Sequence, residues 1–575
     1  MNNKYIVYPN GRELHDFREL LNYSTTTFAD NVAYVYKDDY TKKDFKYIEK
    51  KFSDVGNDSR ALGTKFLDMG LEGKTIVVVG RNRYEWCISY FAITTSNMVV
   101  SPLDKALPEN ELVNSIERSG AVAVIFDDKY KDIMLNMKKT NSNVKYLICM
   151  DDIKEDGIIT FNSLVEDGRK LLDAGSKIYD NITIDPEKMS IMLFTSGTTS
   201  KSKIVMLCQR NICSDITALN KIAIVGPTDT LLSFLPIHHT FECTITFLFG
   251  FSNGAKVAFC DGLKHIAKNL QEYKISVFVA VPLVLETMYK KINKGIEEKG
   301  KTKLINALIK VSNALRKVHI DIRRKLFKQI LDNFGGNLRI VWFGSAPMAK
   351  DTIIGFNNFG VETIQGYGLT ETSPVITAET DKYKCPGSVG FPLYNEELKI
   401  DNPDENGEGE IVVKGPMVML GYYNDEEKNK EAFTEDGFFR TGDYGYINKQ
   451  GAVFITGRKK DIIVLKNGKN VYPQEIEFLI NEIPFVTESL VYQREEDSTD
   501  TMLCAKIVYD EKLLSEELGN KTPDEIKDEI WARVKEINKN LPIFKHIKKI
   551  DVTTEPLVKT TTQKVKRYEE LKNLK

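Results

Sequence analysis

The chain has 575 residues, 42% of them apolar, and 79 Lys and Arg nearly balance 81 Asp and Glu to leave a net charge of −2. One hydrophobic core rarely serves such a length, so at least two domains are expected, and the charge balance excludes a nucleic-acid binder driven by overall charge. The eight cysteines are scattered without a C-x-x-C pair, the start lacks an apolar targeting core, and no apolar run is long enough to cross a bilayer, so a cytoplasmic protein with reduced, buried thiols is expected.

In chain order, short apolar runs at Thr75–Gly80, Met98–Leu103, Ala121–Phe126, Val144–Met150, Ser190–Phe194, Lys256–Cys260, Ser276–Pro282 and Leu338–Phe343 alternate with helix-period segments. Strands apolar throughout need cover on both faces. The fold class is therefore α/β, a large N-terminal domain of layered, largely parallel sheets with helices. Beyond Asp461 the pattern changes to a helix near Pro473–Asn481, strands at Ser489–Gln493 and Met502–Tyr509, and a charged helix near Thr522–Asn540. That reads as a small α+β domain, with boundaries at 1–459 and 460–575.

The loop after Ser190–Phe194 carries the chemistry. It reads Thr195-Ser-Gly-Thr-Thr-Ser-Lys-Ser-Lys203, in which Gly197 permits a tight turn, Ser196, Thr198 and Thr199 offer short donors, and Lys201 and Lys203 add positive charge. This composition suits a polyphosphate, and its position at a strand's C-terminal end suits ligand binding. The spacing is not that of G-x-x-x-x-G-K-[ST], which weighs against kinases and classical ATPases. By itself such a loop is most often a solvated connection.

Four further segments follow in fixed order: Leu235-Pro-Ile-His-His-Thr-Phe-Glu242, Gly366-Tyr-Gly-Leu-Thr-Glu-Thr372, Arg440-Thr-Gly-Asp443 with Gly457-Arg-Lys-Lys460, and Pro556–Arg567. With these the chain resembles the adenylate-forming superfamily of acyl-CoA synthetases from about Thr25 onward. Val281-Pro-Leu-Val-Leu-Glu-Thr-Met-Tyr289 and the stretch Arg323 to Pro347 look most like the long-chain fatty-acid:CoA ligases.

The resemblance implies activation of a medium- to long-chain fatty acid by ATP to acyl-AMP with release of pyrophosphate, then transfer to coenzyme A. An acyl-acyl-carrier-protein ligase, a stand-alone acyl-AMP ligase and a non-catalytic binding descendant stay open as alternatives. It implies that Thr195, Ser196, Gly197, Thr198, Thr199 and Lys203 hold the phosphates, and that Glu371, with Thr198, holds Mg²⁺. Thr370 would meet the α-phosphate. Gly344, Ser345, Ala346 and Pro347 would lie along adenine, with Gly366, Tyr367 and Gly368 beside them, and Asp443 and Arg458 would take the ribose hydroxyls. His239 would gate the acyl tunnel, with Glu242 three residues on. Lys564 would reach the α-phosphate and acyl carboxylate, Lys460 would be the hinge of a mobile small domain, and Gly468 would lie on the coenzyme A side. Ser200, Ser202, Ile204 and Gln563 depart from the family's usual glycine, proline, glycine and glycine.

Finally, 299–328 holds ten Lys or Arg against one acid, Asp321, while Leu304, Leu308, Val311, Leu315, Val318, Ile322 and Leu326 recur at helical spacing. Such a stripe most often packs on its own domain. A peripheral contact with anionic membrane through this segment is the second expectation.

Overall fold

The computed structural model describes residues 5–39, 41–195, 202–465, 469–497, 500–559 and 565–574. Two compact units emerge: 203–397 and 414–431 cluster with the described residues up to 195, and 398–413 cluster with 432–574. The α/β class read from the sequence is the class observed.

The first unit contains two sheets. In the eight-stranded one the order is Gly421–Tyr422, Lys203–Cys208, Met189–Thr195, Val99–Leu103, Thr75–Val79, Ala123–Phe126, Tyr146–Cys149 and Ile159–Thr160. From Met189–Thr195 to Ile159–Thr160 the pairings are parallel, and Lys203–Cys208 and Gly421–Tyr422 extend the sheet antiparallel. The nine-stranded sheet centres on the parallel strands Glu362–Tyr367, Ile340–Phe343, Val277–Ala280, Thr230–Ser233, Lys256–Phe259 and Val32–Lys37. Strands such as Ala123–Phe126 and Val277–Ala280 are buried at every residue, as their unbroken apolar runs require. The helix Tyr84–Thr94 is likewise buried at every position except Glu85, which is half-buried and paired with Arg83.

The expected strand Ser276–Pro282 stops short, because Pro282 instead opens the helix Pro282–Glu298, where its missing N–H costs nothing. The expected single stripe in 299–328 is also corrected: Thr302–Arg316 is one helix, and short helices at Arg323–Leu326 and Lys328–Asp332 follow a turn.

The second unit holds a four-stranded sheet of Glu397–Asp401, Gly409–Lys414, Phe439–Ile447 and Val453–Arg458, which the sequence reading did not anticipate. It also holds a three-stranded sheet of Val486–Asp497, Asp500–Tyr509 and Lys549–Thr553. Helices Pro473–Asn481 and Pro523–Lys539 lie within a residue of their expected limits; Thr522 caps the latter in a reciprocal box with Glu525, and Pro523 occupies its first turn. Ile476, Ile480, Ile526, Ile530 and Val534 line the core of this unit. Residues 432–459 therefore pack with the chain that follows the boundary placed at 459/460.

The eight cysteines, all of them among the described residues, form no disulfide; six are buried and Cys260 and Cys385 are half-buried. Burial pushes the thiols of Cys149 and Cys260 up to about 11. Among the described residues no helix is long and apolar enough to cross a membrane.

Candidate active site

Thr195 and Lys203 are cross-strand partners, so the hydroxyl-rich segment joins two antiparallel strands as a hairpin at the C-terminal end of a parallel strand. Ser196, Gly197, Thr198, Thr199, Ser200 and Lys201 lie outside the described residues, as do Gly468, Gln563 and Lys564. Ile204 is buried and packs with Val99 and Met192, so this departure from glycine is absorbed by the core.

Lys203 points at a residue the sequence reading missed. Its ammonium lies 4.5 Å from the ring centroid of Tyr422 and 3.5 Å from the hydroxyl. The Tyr422 hydroxyl donates to Glu371 Oε1 at 2.9 Å, and the main-chain N–H of Met419 donates to the Glu371 carbonyl at 2.9 Å. Tyr422 is itself held on both sides of its peptide: its N–H donates to Asn429 Oδ1 at 2.6 Å, and Asn429 Nδ2 donates to its carbonyl at 2.9 Å. Desolvation and the nearby Glu371 charge both raise the tyrosine's pKa, keeping it a donor. Lysine, phenol and carboxylate thus form one connected set beside the hairpin.

Glu371 sits in a single 3₁₀ turn, Thr370–Thr372, which is fixed from several directions. Thr372 Oγ1 accepts from Leu369 N–H at 3.0 Å, and Ser373 Oγ donates to the Met417 carbonyl at 2.8 Å. Behind it, the buried Asp215 carboxyl accepts from Val375 N–H at 2.8 Å; burial pushes that carboxyl far up, towards its neutral form. Gly368 could be nothing larger, because a Cβ there would lie 1.8 Å from the Pro374 carbonyl oxygen. Gly344 closes on the same place: a Cβ on it would come within 2.8 Å of the Gly366 carbonyl oxygen and 3.9 Å of the Phe241 ring. The exposed loop Ser345, Ala346 and Pro347, with Ser345 at φ +75°, therefore starts against Gly366 at the end of Glu362–Tyr367. Tyr367, Gly368 and Thr370 are all half-buried.

His239 accepts from Phe241 N–H on Nδ1 at 3.2 Å, which places its proton on Nε2 when neutral. Its neighbour His238 is driven down to about 4 by burial, although Asp104 lies 3.8 Å away. Glu242 opens a π-helix, Glu242–Phe249, in which every residue is buried. Thr246 Oγ1 donates to Glu242 Oε2 at 2.9 Å, and burial pushes this carboxyl up to about 8, so it is largely a neutral acid at pH 7.

In the second unit Asp443 and Arg458 face each other across antiparallel strands, with Arg458 Nε 3.0 Å from Asp443 Oδ1. The carboxylate is buried and the guanidinium is 40% exposed, so an accepting oxygen and a row of donors are presented together. Lys460 is exposed in the 3₁₀ turn Lys459–Asp461 that follows. Tyr472 packs onto Gly457, where a Cβ would lie 2.9 Å from the tyrosine ring, and its ring centroid is 6.2 Å from that of Tyr444.

Whether a divalent ion suits Glu371 follows from the donors present. Among the described residues no group of three or more His, Cys, Asp or Glu could hold a metal. One half-buried carboxylate, oriented by a phenol, suits Mg²⁺, which takes few protein oxygens and completes its shell with phosphate and water.

The model of the AMP-binding enzyme family matches residues 22–423, and that of the AMP-binding enzyme C-terminal domain matches 460–575. The chain belongs to the AMP-binding enzyme family, the adenylate-forming acid–thiol ligases. It is 30% identical over 475 residues, 76% of its length, to long-chain-fatty-acid–CoA ligase 6 of Mus musculus, 67% of which is covered. It is 29% identical over 527 residues to the chloroplastic long-chain-fatty-acid–[acyl-carrier-protein] ligase AEE15 of Arabidopsis thaliana, covering 79% of this chain and 71% of that one. Among solved structures, ATP-bound MatB from Rhodopseudomonas palustris superposes with a TM-score of 0.73 at 23% identity, over 96% of this chain and 98% of that one. A fatty acyl CoA synthetase of Mycobacterium tuberculosis gives 0.64 at 20% identity, over 97% and 98%. At these identities the structural likeness is one of fold.

Proposed function

We propose that the chain joins a medium- to long-chain fatty acid to coenzyme A at the expense of ATP. In the first half-reaction a carboxylate oxygen attacks the α-phosphorus of ATP; the bond from that phosphorus to the bridging oxygen breaks, and pyrophosphate leaves. In the second the thiolate of coenzyme A attacks the acyl carbon, and AMP departs with the electrons of the broken acyl–oxygen bond. The observation that carries this reading is the connected set Lys203, Tyr422 and Glu371 at the root of the phosphate hairpin.

An anion attacking an anionic nucleotide needs positive charge held in advance. Lys203 supplies one such charge, and Glu371 would hold Mg²⁺, which when bound neutralises phosphate oxygens. Gly344 to Pro347, Gly366 and Tyr367 would receive the adenine, and Asp443 with Arg458 the ribose hydroxyls. His239 and the neutral Glu242 stand at the acyl side, where an uncharged acid suits an apolar chain. Lys564 would complete the first state. A pivot at Lys460 would then have to part Tyr472 from Gly457 and Tyr444, or carry them with it. The names of the relatives support a long-chain acid, and that of the acyl-carrier-protein ligase keeps a carrier-protein thiol as the second reading of the acceptor.

The experiment is pyrophosphate release across straight-chain acids of graded length, with coenzyme A or acyl carrier protein as acceptor. Release should be strongest with a fatty acid and the thioester should form with coenzyme A; Lys564→Ala should slow adenylation by about 10²–10³-fold while sparing thioester formation from supplied acyl-adenylate. Release with amino acids alone would overturn the proposal.

A further inference from the structure

The helix Thr302–Arg316 buries one face and leaves a second apolar line in solvent. Ile305, Leu308 and Ile309 pack against the core beneath the nine-stranded sheet, and Ser312 is buried with them. This inner stripe satisfies the helix as a domain element. Yet Leu304 is 55% exposed and Val311 53%, and the turn that follows adds Val318 at 63% and Ile320 at 50%. Four large apolar side chains thus stand in water within the 17 residues from Leu304 to Ile320. Isolated exposed apolar residues need no explanation, but a run of them does.

Leu304, Val311 and Val318 are spaced seven apart, and each is preceded by a lysine: Lys303, Lys310 and Lys317. On a helix that interval returns to almost the same line, so cations and apolar groups run side by side along Thr302–Arg316 and into its C-terminal turn. Lys299, Lys301 and Arg316 add further charge, and the segment 299–320 contains no Asp or Glu. Among the described residues none of these six cations has a carboxylate within ion-pair distance; the acid that follows, Asp321, is already held by Arg323, Nε to Oδ1 at 3.0 Å and Nη2 to Oδ2 at 2.7 Å. Internal partners therefore leave the field of this face uncancelled.

We propose that this face docks on the surface of an anionic lipid bilayer, Leu304, Val311, Val318 and Ile320 entering the headgroup–acyl boundary while the flanking lysines meet lipid phosphates. Charge complementarity selects this occupant. A second copy of the chain would bring the same cations against themselves, whereas a bilayer offers negative charge on its outside and hydrocarbon just beneath, in the order the face presents them. The inference is independent of which acid the enzyme activates.

The test is co-sedimentation of the full-length protein with phosphatidylcholine vesicles made with or without phosphatidylglycerol. Binding should require the anionic lipid and weaken as salt is raised. At roughly fivefold in partition per basic residue near the surface, the triple variant Lys303→Gln, Lys310→Gln, Lys317→Gln should bind about a hundredfold more weakly. A second triple variant, Leu304→Ser, Val311→Ser, Val318→Ser, should lose binding at unchanged charge. All six side chains are exposed, so both variants should keep the parent's thermal midpoint and its pyrophosphate release with a water-soluble acid. Equal binding by parent and both variants would overturn the proposal, as would binding indifferent to phosphatidylglycerol. So would a loss of self-association, read by sedimentation velocity, in place of a loss of vesicle binding.

Discussion

Replacing Glu242 by Gln should flatten the pH dependence of stability of the first unit. The side chain is wholly buried, and its pKa is pushed by desolvation from 4.5 to about 8. Between those values the folded chain keeps a proton that the unfolded chain has released, so stability falls as pH rises through the window, by about 1.4 kcal/mol per pH unit well inside it. Because the folded group itself begins to ionise near 8, the loss between pH 6 and pH 8 amounts to about 2 kcal/mol. Glutamine preserves shape, and its amide oxygen can still accept from Thr246, but it carries no proton to lose. Asp215 and Glu396, whose pKa values burial also raises, act alike in both proteins and cancel in the comparison. Urea unfolding at the two pH values, followed through Trp86 and Trp342 in the first unit, measures the difference. Parallel losses in parent and variant would refute the assignment of a buried neutral acid.

Three other substitutions test the site. Tyr422→Phe keeps the ring beside Lys203 but removes the donor to Glu371; at the low end for a hydrogen bond to a charged group, about 1.5 kcal/mol, the Mg²⁺ concentration giving half-maximal pyrophosphate release should rise about tenfold. An unchanged Mg²⁺ titration would remove Tyr422 from the site. Asp443→Asn should raise the KM for ATP by about 10- to 100-fold and abolish discrimination against 2′,3′-dideoxy-ATP; retained discrimination would show that the ribose is read elsewhere. Gly368→Ala, whose new Cβ meets the Pro374 carbonyl, should cost at least ~3 kcal/mol by thermal unfolding, against about 1 kcal/mol for Gly70→Ala, where φ is +72° but space is open.

The parallel strands were legible because their runs are apolar at every position, and the observed limits fall within about two residues of those read. The four-stranded sheet escaped because Glu397–Asp401 mixes charge with apolar residues, and because its central pairing joins Gly409 to Gly445 and Val413 to Phe439, across an intervening helix. Ordered motifs made Glu371, Asp443 and Arg458 legible one by one. The bond between Glu371 and Tyr422 was not legible, since it arises only when Gly421–Tyr422 pairs with Val205 and Met206, a partnership set by tertiary folding. The π-helix Glu242–Phe249 was equally silent: where every residue is buried, no polar face marks the helical period. In 299–320 the apolar spacing was plain, but only the packed structure separates the inner residues Leu308 and Leu315 from the outer Leu304, Val311 and Val318.

The burial of the thiols has a practical consequence. At a pKa of about 11, Cys149 and Cys260 are ionised to roughly one part in ten thousand at neutral pH, and it is the thiolate that attacks maleimides and thiol-directed nitroxide reagents. Burial also raises the pKa of Cys87, Cys208, Cys213 and Cys243, and Cys504 is enclosed in its sheet, which leaves the half-buried Cys385 as the one native position to mask. New cysteines at the exposed positions Lys268 and Lys527, one in each compact unit, would therefore dominate labelling, and a donor–acceptor pair there would follow the two units through both half-reactions in a protein that keeps nearly all of its own sulfur.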